Sequence, residues 1–452
     1  MTIQTKKLYD FLELLKLTSS TDDPYTFFQF LQPIESELFE KSFNLIPKTQ
    51  SSFYWDYPES NESFFGFEEI FTSNSEQELN LLNIISNRNE YGIERIPEIL
   101  VSIKFPINEN FLEWEDFKAS NWFIPRLLCY HNNDSYYLGV FFTGSEINNI
   151  DTILKQAEDL LENLGAEELP EYTDSQFRMV NMPSPQEWHD MINSVLNKIN
   201  SGKVNKVVLS RMVEYSVNRL PDFTRVISRL KREYPNSYIF IFKQKSSIFF
   251  GASPEKLLKI NKNNIETEAL AGTIKRGVTV QEDELLSKIF FDDKKELTEH
   301  QSVVKYIVNA LSDFTTDISY DKSPQIKKLK YIQHLWTPIK AKLKPDYSIL
   351  SIINRLHPTP AVCGEPKEAA LEIIEELEVF DRGLFAGVIG WYNKNGYGEF
   401  AVTIRSGLIK ENKLLLFAGC GIVEGSTPGQ EYRETELKLK SILSLFENEN
   451  TN

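Results

Sequence analysis

The stretch Gly419-Cys-Gly-Ile-Val-Glu-Gly-Ser-Thr-Pro-Gly-Gln-Glu-Tyr-Arg-Glu-Thr-Glu-Leu-Lys438 connects the end of a predicted strand to the start of a predicted helix. The apolar run Leu414–Phe417 before it is typical of a buried strand. Because Gly419 and Gly421 have no Cβ atom, a ligand can approach their backbone N–H groups closely. We therefore expect a strand end, a glycine turn and a helix to present one site.

The predicted helix has signals both for its start and for a charged face. Thr427 suits the N-cap position, and Gln430 three residues later predicts a capping box. Glu431, Glu434 and Lys438 follow at i, i+3 and i+7, so they share one face. Two carboxylates one turn apart suit a hard divalent ion such as Mg²⁺, with the lysine placed to hold an anion bound by that metal. The alternative is a solvated charged face, which is the usual meaning of such a pattern.

Composition excludes several classes of protein. The 452 residues are 41% hydrophobic, which is enough for a large core. Acidic residues outnumber basic ones by 65 to 49, and the net charge of −16 argues against nonspecific nucleic-acid binding and against anionic membranes. We find no run long enough to span a bilayer and no signal-peptide core. Three scattered cysteines are typical of reduced thiols, so we expect a cytoplasmic protein.

The first part of the chain predicts structure but no catalytic constellation. Residues 1–45 suggest helix with irregular connections, and aromatic strands follow, with a hairpin turn at Asn132–Asn133. An amphipathic helix is predicted over Ile150–Leu164. The polar, proline-bearing stretch Glu168–Pro185 predicts a connection between an N-terminal part, 1–185, and a catalytic part, 186–447.

Two ionisable residues lie at ends of predicted strands in the second part. Lys206 begins an apolar strand and is either an edge lysine in water or a buried amine with a lowered pKa that serves as a base. Glu255 directly follows another strand and is either a capping carboxylate or a functional group at a strand end. The residues alone leave both pairs of alternatives open.

Three other places carry candidate site residues. Arg405 ends a strand rich in β-branched residues, where it is either a surface charge or a clamp for a carboxylate. Two X-Pro bonds hold His357 and its neighbours extended, which would fix side chains pointing at a site. His300 lies beside Glu296 and Glu299 on a predicted helix, so a metal site and a hydrogen-bonded structural histidine are about equally expected.

Eight short segments occur in an order that closely resembles the chorismate-utilising enzymes, specifically the isochorismate synthases. They are Lys206-Val-Val-Leu-Ser-Arg211, Gly251-Ala-Ser-Pro-Glu255, Glu268-Ala-Leu-Ala-Gly-Thr273, Glu299-His300, His357-Pro-Thr-Pro360, Val402-Thr-Ile-Arg405, Phe417-Ala-Gly-Cys-Gly-Ile-Val423 and Glu431-Tyr-Arg-Glu434. The resemblance covers about residues 186–446, and before that it is limited to aromatic strands. It implies an α/β fold of two stacked, largely antiparallel sheets flanked by helices, with the site between the sheets.

The resemblance also implies a Mg²⁺-dependent site for chorismate. Glu299 and Glu434 would hold the metal, with Glu431 acting through a metal-bound water, and the metal would bind the ring carboxylate. Arg405 would bind the enolpyruvyl carboxylate, and Lys438 would support the ring carboxylate. The complete implied substrate set is Ala271, Gly272, Thr273, His357, Arg405, Gly419, Gly421 and Lys438, with His357 near the departing hydroxyl.

The implied reaction is water attack at C2 of chorismate with loss of the C4 hydroxyl. Neutral Lys206 would take the proton from the water, and protonated Glu255 would donate one to the leaving hydroxyl. The site must therefore lower the pKa of the lysine and raise that of the glutamate.

Near relatives use other nucleophiles or go further along the reaction. Aminodeoxychorismate synthases carry a nucleophilic lysine where this chain has Ala271. Anthranilate synthases take ammonia from a partner and typically lack a lysine at the position of Lys206. Salicylate synthases share Lys206 and Glu255 but also eliminate pyruvate, and their turn after His357 usually differs from Pro360–Val362.

These differences favour water as the nucleophile, and we expect a monomer without an amidotransferase partner. A salicylate synthase is the alternative, followed by an anthranilate synthase-type subunit. A binding or regulatory protein with a decayed site would be expected to lose Lys206, Glu255 or a metal glutamate, and all of these are present.

Overall fold

Two large sheets, joined at one long strand, form the framework. The computed structural model describes residues 5–18, 23–107, 112–149, 151–152, 155, 159, 177–181, 184–345 and 347–446. The strands are β1 Thr26–Pro33, β2 Ser51–Tyr57, β3 Glu62–Ser73, β4 Asn83–Ser86, β5 Ile99–Ile103, β6 Ser120–Asn132, β7 Ser135–Thr143, β8 Phe177–Asn181, β9 Lys206–Val217, β10 Tyr238–Gln244, β11 Ser247–Ser253, β12 Lys256–Asn261, β13 Asn264–Lys275, β14 Thr315–Tyr320, β15 Gln325–Lys328, β16 Ile332–Leu343, β17 Gly364–Glu365, β18 Val388–Tyr392, β19 Tyr397–Val402, β20 Ser406–Lys410 and β21 Lys413–Ile422.

Helices cover the sheets and close their edges. They are α1 Thr5–Thr18, α2 Ser36–Lys41, α3 Glu76–Leu81, α4 Pro185–Asn200, α5 Phe223–Glu233, α6 Val280–Asp292, α7 Lys294–Ser312, α8 Ile349–Leu356, α9 Lys367–Leu377 and α10 Pro428–Leu443. No helix in the described ranges has both the length and the apolar character needed to cross a membrane.

The first sheet has the strand order β4–β1–β7–β6–β3–β2–β10–β11–β20–β21–β9–β8. The second has the order β5–β18–β19–β12–β13–β16, with β14 and β15 against successive halves of β16. The sheets share β6, because its first residues pair with β5 and its last residues pair with β7. Apart from the parallel pair β1–β4, the neighbours in both orders are antiparallel, which confirms the predicted fold class.

Apolar side chains point to both faces of the central strands, so the protein has two hydrophobic cores. In β10, Phe240 and Phe242 point into the core between the sheets, while Ile239 and Ile241 point into a second core on the outer face of the first sheet. This follows from the two-residue period of a strand, whose side chains alternate between faces. Helix α5 covers the outer core through Val226 and its apolar neighbours. Strands near the site are therefore packed on both faces.

The two sequence parts share these sheets. Strand β2 of the first part pairs with β10 of the second, and β5 pairs with β18. The boundary at residue 185 stays a prediction. Most of the predicted helix Ile150–Leu164 and of the connection Glu168–Pro185 lies outside the described residues.

Several local predictions are confirmed and others are wrong. The predicted hairpin between β6 and β7 is confirmed, but its turn residues are Asn133 and Asp134, because Asn132 still pairs with Ser135. Residues 26–33, predicted as part of a helical region, form strand β1, because pairing with β4 and β7 outweighs local preference. Helix α10 begins after Thr427 as predicted, but no capping box forms, since the Thr427 hydroxyl donates to the Gln430 side chain at 2.7 Å instead.

Candidate active site

A polar cavity lies where α7 and α10 meet the ends of β9, β13, β16 and β21. The residues lining it are Lys206, Glu255, Leu270, Ala271, Gly272, Thr273, Glu296, Glu299, His334, Ala361, Ile404, Arg405, Gly421, Glu431, Glu434 and Lys438. Of the thirteen site residues predicted from sequence, the cavity brings together all but His357 and Gly419.

Lys206 is closely packed against one side of the cavity. Lys206 is 3% exposed, and its Nζ donates to Glu299 Oε1 at 2.6 Å. On the neighbouring strand β21, a Cβ atom at Gly421 would lie 2.8 Å from Lys206 Cε and 2.9 Å from Glu299 Oε1. Such distances are shorter than van der Waals contact, so the lysine–glutamate pair requires glycine at this position.

The acid side is formed by Glu255, in the short link between β11 and β12. Its side chain is buried, and the Thr359 hydroxyl donates to Oε1 at 3.4 Å. Burial, followed by the nearby charge of Glu268, raises the pKa of Glu255 to about 7, against the smaller opposite effects of Thr359, Lys206 and Arg405. A carboxylic acid of this kind holds its proton near neutral pH, as the sequence-based mechanism requires of Glu255.

A buried cation lies on a third side. Arg405 does not end a strand as predicted; it sits between β19 and β20 with φ 51°, a left-handed conformation that turns the chain. Burial lowers the pKa of its guanidinium to about 10, so the group stays positive at neutral pH. A buried guanidinium is suited to bind a carboxylate with two parallel hydrogen bonds.

His334 orients this arginine, a role that the sequence did not reveal. Its Nδ1 lies 2.8 Å from the Gly272 carbonyl oxygen and therefore donates to it, which leaves Nε2 as acceptor for Arg405 Nη2 at 3.4 Å. Burial and the charge of Arg405 hold the pKa of His334 well below its usual range, so the ring is neutral. His334 lies near the start of β16, and the pairing of β16 with β13 brings it to the cavity.

Acidic side chains gather on the remaining side. Glu299, Glu431 and Glu434 line the cavity with Glu296, which the sequence had placed beside His300 without a role. Lys438 Nζ donates to Glu434 Oε1 at 2.6 Å and to the Gly419 carbonyl at 2.8 Å. Within the described part of the chain, no three acidic, histidine or cysteine side chains are close enough to form a closed metal cage.

This donor set nevertheless fits a magnesium ion. Mg²⁺ prefers oxygen ligands and usually keeps several waters, binding through one or two carboxylates together with oxygens of the substrate. Glu299 and Glu434 supply such carboxylates on one wall of an open cavity. An open site with few protein ligands is therefore compatible with the arrangement, whereas a zinc-type cage is not.

Two residues predicted to contact the substrate lie outside the described cavity lining. His357 is buried, with its Nε2 2.8 Å from the Ala386 carbonyl oxygen and its ring edge-to-face with Phe105, and it is absent from the described cavity lining. Burial lowers the pKa of His357 to about 4. The sequence identified a rigid turn correctly, but the residue from this turn that contacts the acid is Thr359. Gly419 is likewise absent from the described lining, and its carbonyl accepts from Lys438 Nζ at 2.8 Å.

His300 is the structural histidine of the two alternatives. Its Nε2 lies 2.8 Å from the Thr337 hydroxyl, and the residue is 1% exposed. Burial lowers the pKa of the imidazole to about 4. The neutral, buried ring anchors α7 to β16 and thereby supports the position of the adjacent Glu299.

A buried amine, an acid with a raised pKa, a fixed guanidinium and several carboxylates line one cavity between two antiparallel sheets, and together they define an enzyme site for a small anionic substrate. The family model described as "Chorismate binding enzyme" matches residues 16–447. The chain belongs to this family of chorismate-binding enzymes, which confirms the resemblance drawn from the eight ordered segments.

Relatives from bacteria agree with this assignment. The isochorismate synthase MenF of Bacillus subtilis is 31% identical over 88% of this chain and 88% of its own length. The salicylate biosynthesis isochorismate synthase of Pseudomonas aeruginosa is 39% identical over 57% of this chain and 54% of its own length. Among solved structures, the menaquinone-specific isochorismate synthase MenF of Escherichia coli has a TM-score of 0.78 at 23% identity, covering 97% of this chain and 100% of that one, which shows the shared fold.

Proposed function

We propose that the protein is an isochorismate synthase, which adds water at C2 of chorismate while the C4 hydroxyl leaves. One water enters and one leaves, so the reaction is an isomerisation without a redox step. The observation that carries the proposal is that Lys206 and Glu255 line one cavity together with buried Arg405. The similarity to isochorismate synthases over most of the chain supports the same conclusion.

Glu255 is proposed as the general acid. A leaving hydroxyl needs a proton, and a carboxylic acid with a pKa of about 7 is still protonated in a large fraction of the molecules at neutral pH. The Thr359 hydroxyl contacts Oε1 and therefore helps to fix the direction of the carboxyl group. An ordinary exposed glutamate would be ionised under the same conditions and would be a poor donor.

Lys206 is proposed as the general base for the attacking water. The amine must be neutral when it accepts the proton, and in the structure its Nζ donates to Glu299 Oε1 at 2.6 Å. Glu299 is also a proposed metal ligand, so the lysine and the metal would share one carboxylate. Burial of Lys206 on the sheet keeps its Nζ at the cavity wall with little freedom to move.

The cationic groups are proposed to bind the two carboxylates of the substrate. Arg405, oriented by His334, would bind the enolpyruvyl carboxylate. Lys438 would support the ring carboxylate from α10. Leu270, Ala271 and Ile404 add apolar contact for the ring, so the orientation is fixed by charge at the ends and by shape in the middle.

We propose Mg²⁺ as the cofactor, held by Glu299 and Glu434, with Glu431 acting through a water. When bound, the ion would neutralise charge on the ring carboxylate and stabilise the transition state electrostatically. The carboxylates of the chain position the substrate relative to Lys206 and Glu255 by this means. Their side chains face one cavity, which is the feature that supports the assignment.

The test is to incubate the protein with chorismate and Mg²⁺ and to identify products by chromatography and mass spectrometry. We expect isochorismate in equilibrium with chorismate. Salicylate together with pyruvate would instead support a salicylate synthase, and anthranilate formed with added ammonia would support an anthranilate synthase. Unchanged chorismate under all conditions would contradict the proposed function.

A further inference from the structure

The proposed acid lies in a link of only two residues. Pro254 and Glu255 connect β11 to β12, so there is little chain in which the direction of the acid can be adjusted. The Glu255 N–H donates to Ser253 Oγ at 3.2 Å, and its carbonyl accepts from Val402 N–H at 3.1 Å. The other polar groups of these two peptides, the Pro254 carbonyl and the Lys256 N–H, are bound by side chains from other strands.

That support is a single ion pair formed by Glu268 of β13 and Lys327 of β15. Lys327 Nζ donates to the Pro254 carbonyl oxygen at 2.7 Å and to Glu268 Oε1 at 3.0 Å. Glu268 Oε1 also accepts from the Lys256 backbone N–H at 2.9 Å. One ion pair therefore ties the chain immediately before Glu255 and immediately after it.

The pair is itself fixed from a third strand. Trp336 Nε1 on β16 donates to Glu268 Oε2 at 2.6 Å, and the side chains of Glu268 and Lys327 are 4% and 17% exposed. Three donors on two oxygens match a carboxylate, which accepts and cannot donate. Neither Glu268 nor Lys327 is among the described residues lining the cavity, so neither is placed to touch a substrate.

The charge of this carboxylate also acts on the acid. Glu268 raises the pKa of Glu255 after the larger effect of burial, while Lys206 and Arg405, which face Glu255 from the other walls, lower it. A like charge nearby disfavours the ionised form of an acid. Glu268 therefore both helps to fix the position of Glu255 and raises its pKa.

We infer that Glu268 and Lys327 are positioning residues for Glu255, fixing the peptides on both sides of it, and that the Glu268 charge favours its protonated form. This inference rests on the proposed role of Glu255 as the general acid. It makes the acid dependent on a pair that contacts only its backbone neighbours and influences its carboxyl group through space.

The test compares the pH dependence of kcat for wild type, Glu268→Gln and Lys327→Met. Because Glu268→Gln keeps the size and removes the charge, its alkaline limb should move to lower pH by on the order of one unit. Lys327→Met leaves the Glu268 charge uncompensated, so its limb should move to higher pH while kcat falls at every pH. KM for chorismate should change little in both. Glu266→Gln, on the same strand with a side chain 45% exposed, is the matched control and should behave as wild type.

The alkaline limb should shift to lower pH in Glu268→Gln and to higher pH in Lys327→Met. General damage to the structure would lower kcat in both variants but would not shift the limb in opposite directions. Coincident limbs in wild type and both variants would overturn the inference. If Glu268→Gln does not fold, Lys327→Met alone decides, and an unmoved limb in that variant is the contrary result.

A second readout is independent of turnover. The infrared band of the protonated Glu255 carboxyl group, assigned by its loss in Glu255→Gln, can be followed against pH in the resting enzyme. The band should disappear at lower pH in Glu268→Gln than in wild type. An equal pH would overturn the inference even if isochorismate is formed. A shifted band in a protein that makes no isochorismate would support the effect of the Glu268 charge on Glu255 and contradict the proposed function.

Discussion

The two chemical sides of the cavity are each supported by a glutamate–basic residue pair, but the two pairs differ in burial. Behind Lys206, Glu378 and Arg382 have side chains 1% and 0% exposed. Behind Glu255, Glu268 and Lys327 are 4% and 17% exposed. The first pair is sealed inside the protein, whereas the second reaches toward solvent through its lysine.

The sealed pair also makes more contacts with the backbone. Arg382 donates to the carbonyl oxygens of Val208 at 2.7 Å and Val362 at 2.8 Å, and Glu378 accepts from Ser210 N–H at 2.7 Å. It therefore joins β9, which carries Lys206, to the turn before β17. The base is therefore held by the core of the fold. The acid is held by a more accessible ion pair, which can be altered without disrupting the sheet.

The largest expected effect is at the base itself. Lys206→Ala should lower kcat by about 100- to 10,000-fold, because general base catalysis contributes on that order. Binding of chorismate, measured by calorimetry, should persist, since Arg405 and Lys438 remain. Lys203→Ala, with a side chain 48% exposed, is the control and should turn over normally. Wild-type rates in Lys206→Ala would refute its role as base.

Removal of a proposed metal ligand should be nearly as severe. Glu434→Gln, or EDTA added to wild type, should lower activity on the order of 100-fold or more, because a bound metal can contribute several kcal/mol to the transition state. Added Mg²⁺ should restore the EDTA-treated wild type, and calorimetric titration should show weakened Mg²⁺ binding in the variant.

Glu424→Gln, an exposed carboxylate on the turn just before α10, is the control for that experiment. It should bind Mg²⁺ as wild type does. Turnover that is indifferent to EDTA would exclude the carboxylate wall as a metal site.

Unfolding measurements should separate the two supporting pairs. Arg382→Met should lower the free energy of unfolding by about 3–5 kcal/mol, because it leaves Glu378 as an uncompensated buried charge. Lys327→Met should cost less, roughly 1–3 kcal/mol, because the Glu268 charge that loses its partner still accepts from Lys256 N–H and Trp336 Nε1. Urea denaturation followed by circular dichroism measures both. Equal losses of unfolding free energy in the two variants would show that the difference in burial between the two pairs does not affect stability.

The smallest expected effect is a change with pH. With a pKa of about 7, Glu255 is protonated below that pH and ionised above it, so wild-type kcat should fall as pH rises through this range. The fall should approach tenfold per pH unit once most of the acid is ionised. A kcat profile from pH 5 to 9 measures it. In Glu255→Gln the limb should vanish along with most of the activity, and a limb that remains there must belong to another group.

Local signals in the sequence were enough for many elements and for the identity of most site residues. The two-residue alternation of the strands, the helix start at Thr427 and the spacing of Glu431 and Glu434 depend only on neighbouring residues. The ordered segments then indicated the family. Local signals gave the wrong secondary structure where pairing with distant strands determines it. Residues of β1 form a strand only because β4 and β7 flank them.

The amino-acid sequence by itself determined the strand and helix pattern, the acidic net charge and the set of ionisable residues available for chemistry. The packing of the sheets was needed to bring His334 to Arg405, to turn the His357 ring toward the Ala386 carbonyl, and to place Glu268 and Lys327 beside the acid. The physical reason is that burial, charge and hydrogen bonding between distant segments set direction and pKa, and these quantities exist only once the sheets have packed.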